Sequence, residues 1–158
     1  MKKIFNPYKN IKDYFCFGCS PDNQNGLQMD FYEDGDFIIC NWKPKHHLQG
    51  YVNVLHGGIQ ATLLDEIASW VVNIKLKTAG VTYNMDINLK KPLYLNKAPY
   101  HIRAALIEQK RKVAIIHAEL FDADKTLCTE GKIQYYVFPE AYAKDTLLYP
   151  GLETFFEK

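Results

Sequence analysis

No apolar stretch in this 158-residue chain approaches the roughly 20 residues that a membrane span requires. The first ten residues carry Lys2 and Lys3 but no apolar run behind them, so no signal peptide is expected and the cytosol is the expected compartment. Neither sign of charge is in excess. A formal net charge of +1 points away from nucleic acid and from anionic membranes as partners. Internal repeats and low-complexity tracts are absent. The length suits one domain over residues 1–158, with a core of about 15–138 and a tail over 139–158. Cysteine is scarce: Cys16, Cys19, Cys40 and Cys128, all expected to be reduced in a cytosolic protein. Cys16-x-x-Cys19 has a metal or redox spacing, but a zinc site needs about four ligands. No second Cys or His pair has matching spacing, so no metal is expected and the two cysteines are read as packing an N-terminal turn.

What the chain has in quantity is aromatic residues, with eleven Tyr and nine Phe. It also has one long apolar run without proline, from His56-Gly57-Gly58 to about Lys77, which predicts a helix. Two glycines at a helix start expose backbone N–H groups that favour negative charge. At roughly 100° per residue, Ile59, Leu63, Ile67, Trp70 and Ile74 form one broad apolar face. Glu66 falls in a polar stripe with Thr62, Ser69 and Asn73. Asp65 instead lies among Gly58, Ala61, Ala68 and Val72, a small-residue surface with room for a ligand.

Strands are predicted on both sides of the helix. Residues 27–32 and 37–42 form a pair around the Glu33-Asp34-Gly35-Asp36 turn. Residues 81–89, 100–108, 113–121 and 127–138 follow the helix, with turns at Gln109-Lys110-Arg111-Lys112 and at 122–125. In the strand over 81–89, Val81, Tyr83, Met85, Ile87 and Leu89 share one face and Thr82 lies on the other. Residues 1–14 read as irregular or one short helix, and the tail as a short helix followed by a loose end. The pattern gives an α+β domain, a curved antiparallel sheet wrapped around one long central helix.

The stretch His56-Gly57-Gly58, six residues, then Asp65 resembles the hotdog-fold acyl-CoA thioesterases, in the branch around the phenylacetic-acid-pathway thioesterase. Cys16-Phe17-Gly18-Cys19 with Asn25-Gly26-Leu27 resembles the opening of many members, and Gln49-Gly50-Tyr51 resembles a Q-G-W or Q-G-Y element. The resemblance covers roughly residues 15–138. It implies a hotdog fold and hydrolysis of a small, medium-chain or aryl acyl-CoA to the free acid and CoA. It implies no cofactor beyond the CoA of the substrate. It also implies a homodimer, with a dimer of dimers as the next level of assembly.

The residues themselves suggest how this chemistry would run. A helix-terminal N–H at Gly57 can stabilise a developing oxyanion, and Asp65 can act as general base or nucleophile. Eight residues of helix separate them by roughly 12 Å, so one chain cannot bring both to one carbonyl carbon. Two antiparallel helices related by a two-fold axis can. His56 either supports the Gly57 turn or contacts the thioester. Gly50 stands where the relatives closest in mechanism carry an asparagine that polarises the carbonyl, which leaves Gln49 as the neighbouring amide. Thr82 stands where members have a Ser or Thr that orients the attacking water. Gly58, Lys90, Arg111 and Lys112, with Lys91 and Lys110 beside them, are candidates for substrate binding, the basic residues as a phosphate rim.

Two other functions compete. Hotdog dehydratases resemble an H-x-x-G followed by a helix Glu fourteen residues after the His. His47-Leu48-Gln49-Gly50 imitates the first half, but Ala61 occupies the second position and cannot move a proton. A non-catalytic acyl-CoA-binding protein on the same fold is the remaining alternative.

Overall fold

The structure, a computed structural model, describes residues 1–156. Its centre is helix α1, Gly57–Lys75, which packs against five strands of one sheet. The strands are β1 Lys2–Ile4, β2 Phe31–Asp34, β3 Phe37–Trp42, β4 Gly80–Leu89, β5 Tyr100–Lys110, β6 Val113–Phe121 and β7 Leu127–Val137. All pairings are antiparallel, in the order β1-β2-β3-β5-β6-β7-β4. This is the hotdog arrangement expected from the sequence.

The helix is buried over most of its circumference. Leu63, Leu64, Ile67, Ala68, Trp70, Val71, Val72 and Ile74 are all in the core. Opposite them, β5, β6 and β7 contribute Ile102, Ala104, Ile116, Ala118 and Ile133 from their inner faces. The apolar stripe read from the sequence is therefore present, but the small-residue side is packed as well. Two polar side chains are carried inside, each with partners. Gln60 donates to the Leu55 carbonyl at 3.0 Å and accepts from Thr129 Oγ1. Asn73 accepts from the Tyr8 hydroxyl at 3.2 Å. Burial without such partners would cost about 1–3 kcal/mol for each group.

Four local readings need correction. Residues 27–30 alternate as a strand does, and Leu27 and Met29 are buried, yet the ladder starts only at Phe31. Gln28 adopts φ 50°, and the N–H groups of Leu27 and Met29 bond to the Phe17 and Gly18 carbonyls instead. The N-terminal segment carries a short helical turn over Pro7–Asn10, as one of the two readings expected, but Lys2–Ile4 also pairs with β2; three residues are too few for a period to show in sequence. The helix ends at Lys75, two residues before the expected end, and the left-handed residue after it is Lys77 at φ 57°. Gly80 opens β4, where a Cβ would stand 2.4 Å from the Tyr136 carbonyl oxygen. The tail carries the expected short helix, α2 Glu140–Thr146, but the described residues after it are not loose. Phe155 is fully buried, edge-on to Trp70 at 5.5 Å, and its carbonyl accepts from Phe5 N at 2.8 Å. An aromatic side chain buries enough apolar area to anchor such a segment.

Candidate active site at Asp65

Asp65 lies on the side of α1 that meets the β4–β7 pair. Its Oδ1 accepts from Thr82 Oγ1 at 2.8 Å and from the Tyr135 hydroxyl at 2.7 Å. The same hydroxyl stands 2.9 Å from the Asp65 carbonyl oxygen and 3.3 Å from Thr82 Oγ1. Both side-chain donors fall on Oδ1, and Oδ2 has no hydrogen-bond partner among the described residues. The carboxylate is thus oriented by one oxygen while the other can accept a proton or attack. Burial first, then the charge of Asp65, pushes the Tyr135 phenol well above its ordinary range, so it remains a donor.

The position of Thr82 depends on a β-bulge. Thr82 pairs with Tyr135 while Asn84 pairs with Gln134, so Tyr83 is the extra residue. The bulge shifts the alternation by one. Thr82 therefore points to the helix side together with Met85, Ile87 and Leu89, whereas simple alternation places it on the opposite face. Tyr135 was missed in the sequence, where it reads as one aromatic among many on β7. Its partner Asp65 is 70 residues away, and no local spacing reports such a contact.

The other end of the site is the start of α1. His56 is the N-cap, and its Nδ1 accepts from Gly58 N at 2.9 Å. Capping is one of the two roles open to His56, and it occupies the Gly58 N–H. The Gly57 N–H has no acceptor among the described residues. Gly57 is the first helical residue and borders an open depression of about 380 Å3 lined by Gly50, Tyr51, Val54, Leu55 and His56. Gln49 is not part of that lining. Its Oε1 accepts from Asn53 N at 2.9 Å and its Nε2 lies 3.2 Å from His46 Nε2, so the amide is tied into its own loop.

The basic candidates do not form one group. Arg111 and Lys112 make the exposed β5–β6 turn, beside the Gly80 end of β4, with Lys110 paired to Glu108 at 3.5 Å. Lys90 follows the other end of β4 and pairs with Glu130 at 2.6 Å. The ten residues of β4 hold the two ends roughly 30 Å apart, so in one chain these residues cannot border a single phosphate site.

Glu66 departs most from the sequence reading. Its polar stripe is covered: Glu66 turns away from Asp65 into a half-buried cluster with Cys16, Cys19 and Trp70. Trp70 Nε1 donates to its Oε1 at 3.2 Å, and Cys16 Sγ lies 3.7 Å from both carboxylate oxygens. Burial, then the neighbouring Cys16, pushes this carboxyl up to about 7.

Residues 52–129, from the loop before α1 to the start of β7, match the thioesterase superfamily. No curated protein matches the chain. Among solved structures, it is similar to smu.793 from Streptococcus mutans, determined with acetyl-CoA bound, at 17% identity and TM-score 0.65, over 83% of this chain and 98% of that one. A hypothetical thioesterase from Streptococcus pneumoniae, determined with coenzyme A, is 20% identical with TM-score 0.64, over 71% and 90%. The Escherichia coli PaaI protein of the phenylacetic acid degradation operon is 15% identical with TM-score 0.63, over 72% and 82%. At these identities the structural likeness speaks for the hotdog fold. Among the described residues, no helix of the thioesterase-like chain is long and apolar enough to cross a membrane.

Proposed function

We propose that this protein is an acyl-CoA thioesterase working as a homodimer, with Asp65 as general base or nucleophile. The observation that carries the reading is the oriented carboxylate: one oxygen held by Thr82 and Tyr135, the other left free at a surface position. Thr82 and Tyr135 fix the rotamer, so the free oxygen meets water or the thioester carbon without reorganising. The Gly57 N–H supplies the second element, a donor for the developing oxyanion reinforced by the helix dipole.

Within one chain these elements stay apart, since both lie on the continuous helix α1. A second copy supplies the missing half of each site. The surface for it is β4, the sheet edge, whose far side has no strand partner among the described residues. Val81, Tyr83, Met85 and Leu89 on it are 46%, 66%, 45% and 55% exposed. A ten-residue apolar edge left open is an aggregation template, and pairing with another copy removes that hazard. The reading places the protein in the cytosol, where acyl-CoA substrates and reduced thiols occur together.

A screen of CoA release from short, medium-chain and aryl acyl-CoAs tests the activity. The shared site has its own test. Gly57 is the first helical residue, where proline is tolerated, and His56 at ψ 133° suits a following proline. Gly57→Pro thus deletes the proposed oxyanion donor and keeps the helix start. Mixing inactive Gly57→Pro and Asp65→Asn subunits should restore about a quarter of wild-type activity, because half the dimers are mixed and each has one intact site of two. No recovery, with subunit exchange shown by mass spectrometry, would sink the cross-subunit arrangement.

One observation favours binding without turnover. The Gln49 amide is committed to His46 and Asn53, so it does not join Gly57 at the carbonyl. Saturable acyl-CoA binding by a folded dimer that releases no CoA would select that reading.

A further inference from the structure

The cluster on the far side of α1 from Thr82 takes no part in the chemistry proposed for Asp65, and it has the composition of a metal site. The ligand atoms of Cys16, Cys19 and Glu66 all lie within 4.8 Å of one another. Tetrahedral zinc, with Zn–S near 2.3 Å and Zn–O near 2.0 Å, spaces its donors by about 3.5–3.8 Å. Cys16 Sγ stands 3.7 Å from both oxygens of Glu66, at that spacing.

Two further features fit an ion there. Gly18, between the cysteines, lacks the Cβ that would stand 2.3 Å from the Glu66 carboxyl carbon, so the carboxylate can reach the sulfurs. Two of the three donors, Glu66 and Cys19, are also held from behind. Trp70 Nε1 donates to Glu66, the Tyr14 hydroxyl lies 2.9 Å from Cys19 Sγ, and Asn6 Nδ2 donates to that hydroxyl at 3.3 Å. Outer partners of this kind orient metal ligands. The cluster borders a cavity of about 410 Å3 that is also lined by Tyr8, Ser69 and Asn73.

We propose that Cys16, Cys19 and Glu66 bind one zinc ion, with the fourth coordination position open to this cavity. Two thiolates select a thiophilic ion over magnesium or calcium, and three protein ligands leave a place for water or a small exchangeable ligand. The sequence offered no partner for the Cys16-x-x-Cys19 pair; the helix supplies one 47 residues after Cys19. The ion would join the N-terminal segment to α1 one residue from Asp65.

The test uses the full chain, reduced and purified without chelator, and reads metal rather than hydrolysis, so it stands apart from the thioesterase reading. Elemental analysis should find about one zinc per chain, as a single three-ligand site requires. Cobalt(II) added to the metal-free protein should give a thiolate-to-metal charge-transfer band with tetrahedral visible bands. Glu66→Gln should keep the charge-transfer band and bind cobalt at least about tenfold more weakly, as losing a charged ligand demands. The Cys16→Ser, Cys19→Ser double variant should lose the band. Absence of both zinc and the cobalt–thiolate band in folded wild-type protein overturns the proposal. So does a band that persists in the double variant.

Discussion

Asp65 and Glu66 are adjacent carboxylates on one helix, and the fold gives them opposite surroundings. Asp65 faces the β4–β7 pair, accepts two hydroxyl donors on one oxygen and keeps the other free. Glu66 faces the N-terminal loop, where sulfur and an indole N–H surround it. One turn angle of about 100° on the helix separates a carboxylate with one free oxygen from one enclosed by sulfur and an indole N–H. The difference teaches that the identity of an acidic residue says little until the elements packed over each face of its helix are known.

The largest effect expected from breaking this contrast is at Asp65. Asp65→Asn should lower kcat by at least about 10²-fold, the lower range for a positioned acid–base group, and more if Asp65 is the nucleophile. Its melting temperature should stay near that of wild type, because the amide oxygen still accepts from Thr82 and Tyr135. Residual turnover within a few-fold of wild type would remove Asp65 from the chemistry.

Tyr135→Phe and Thr82→Val sharpen the contrast by removing the donors that orient Asp65. Each deletes one hydrogen bond to a charged group, an interaction of about 1.5–3 kcal/mol of which only part is specific to the transition state. Each should therefore lower kcat by roughly 3- to 30-fold with KM little changed, the signature of a positioning residue. The two together should cost less than the product of the single effects, because they act on one oxygen. A rise in KM alone from either would assign it to substrate binding.

Glu66→Ala should give the smallest change in turnover and the largest change in stability. It leaves the buried Trp70 N–H unpaired, which costs about 1–3 kcal/mol. For a chain of this length that is a fall in melting temperature of roughly 2–10 °C. Turnover measured well below that temperature should fall less than tenfold. A loss matching that of Asp65→Asn in a folded protein would erase the contrast between the two positions.

The sequence by itself determined the long helix, its glycine start, six of the seven strands and the general apolar pattern. It also singled out Asp65, Gly57, His56 and Thr82. These features are local or periodic: a run without proline, an alternation, a capping residue beside two glycines. Only the tertiary structure decided the rest. Tyr135 reaches Asp65 across 70 residues, and the bulge at Tyr83 turns Thr82 to the helix side, against the alternation of its own strand. The polar stripe of Glu66 is enclosed because the Cys16–Cys19 loop covers it, and Lys90 and Arg111 are separated because β4 holds them at opposite ends. Phe155 docks on Trp70, where the tail alone reads as loose. In each case the deciding contact joins residues far apart in the chain, and a helical or strand period carries no information about which distant surface covers a given face.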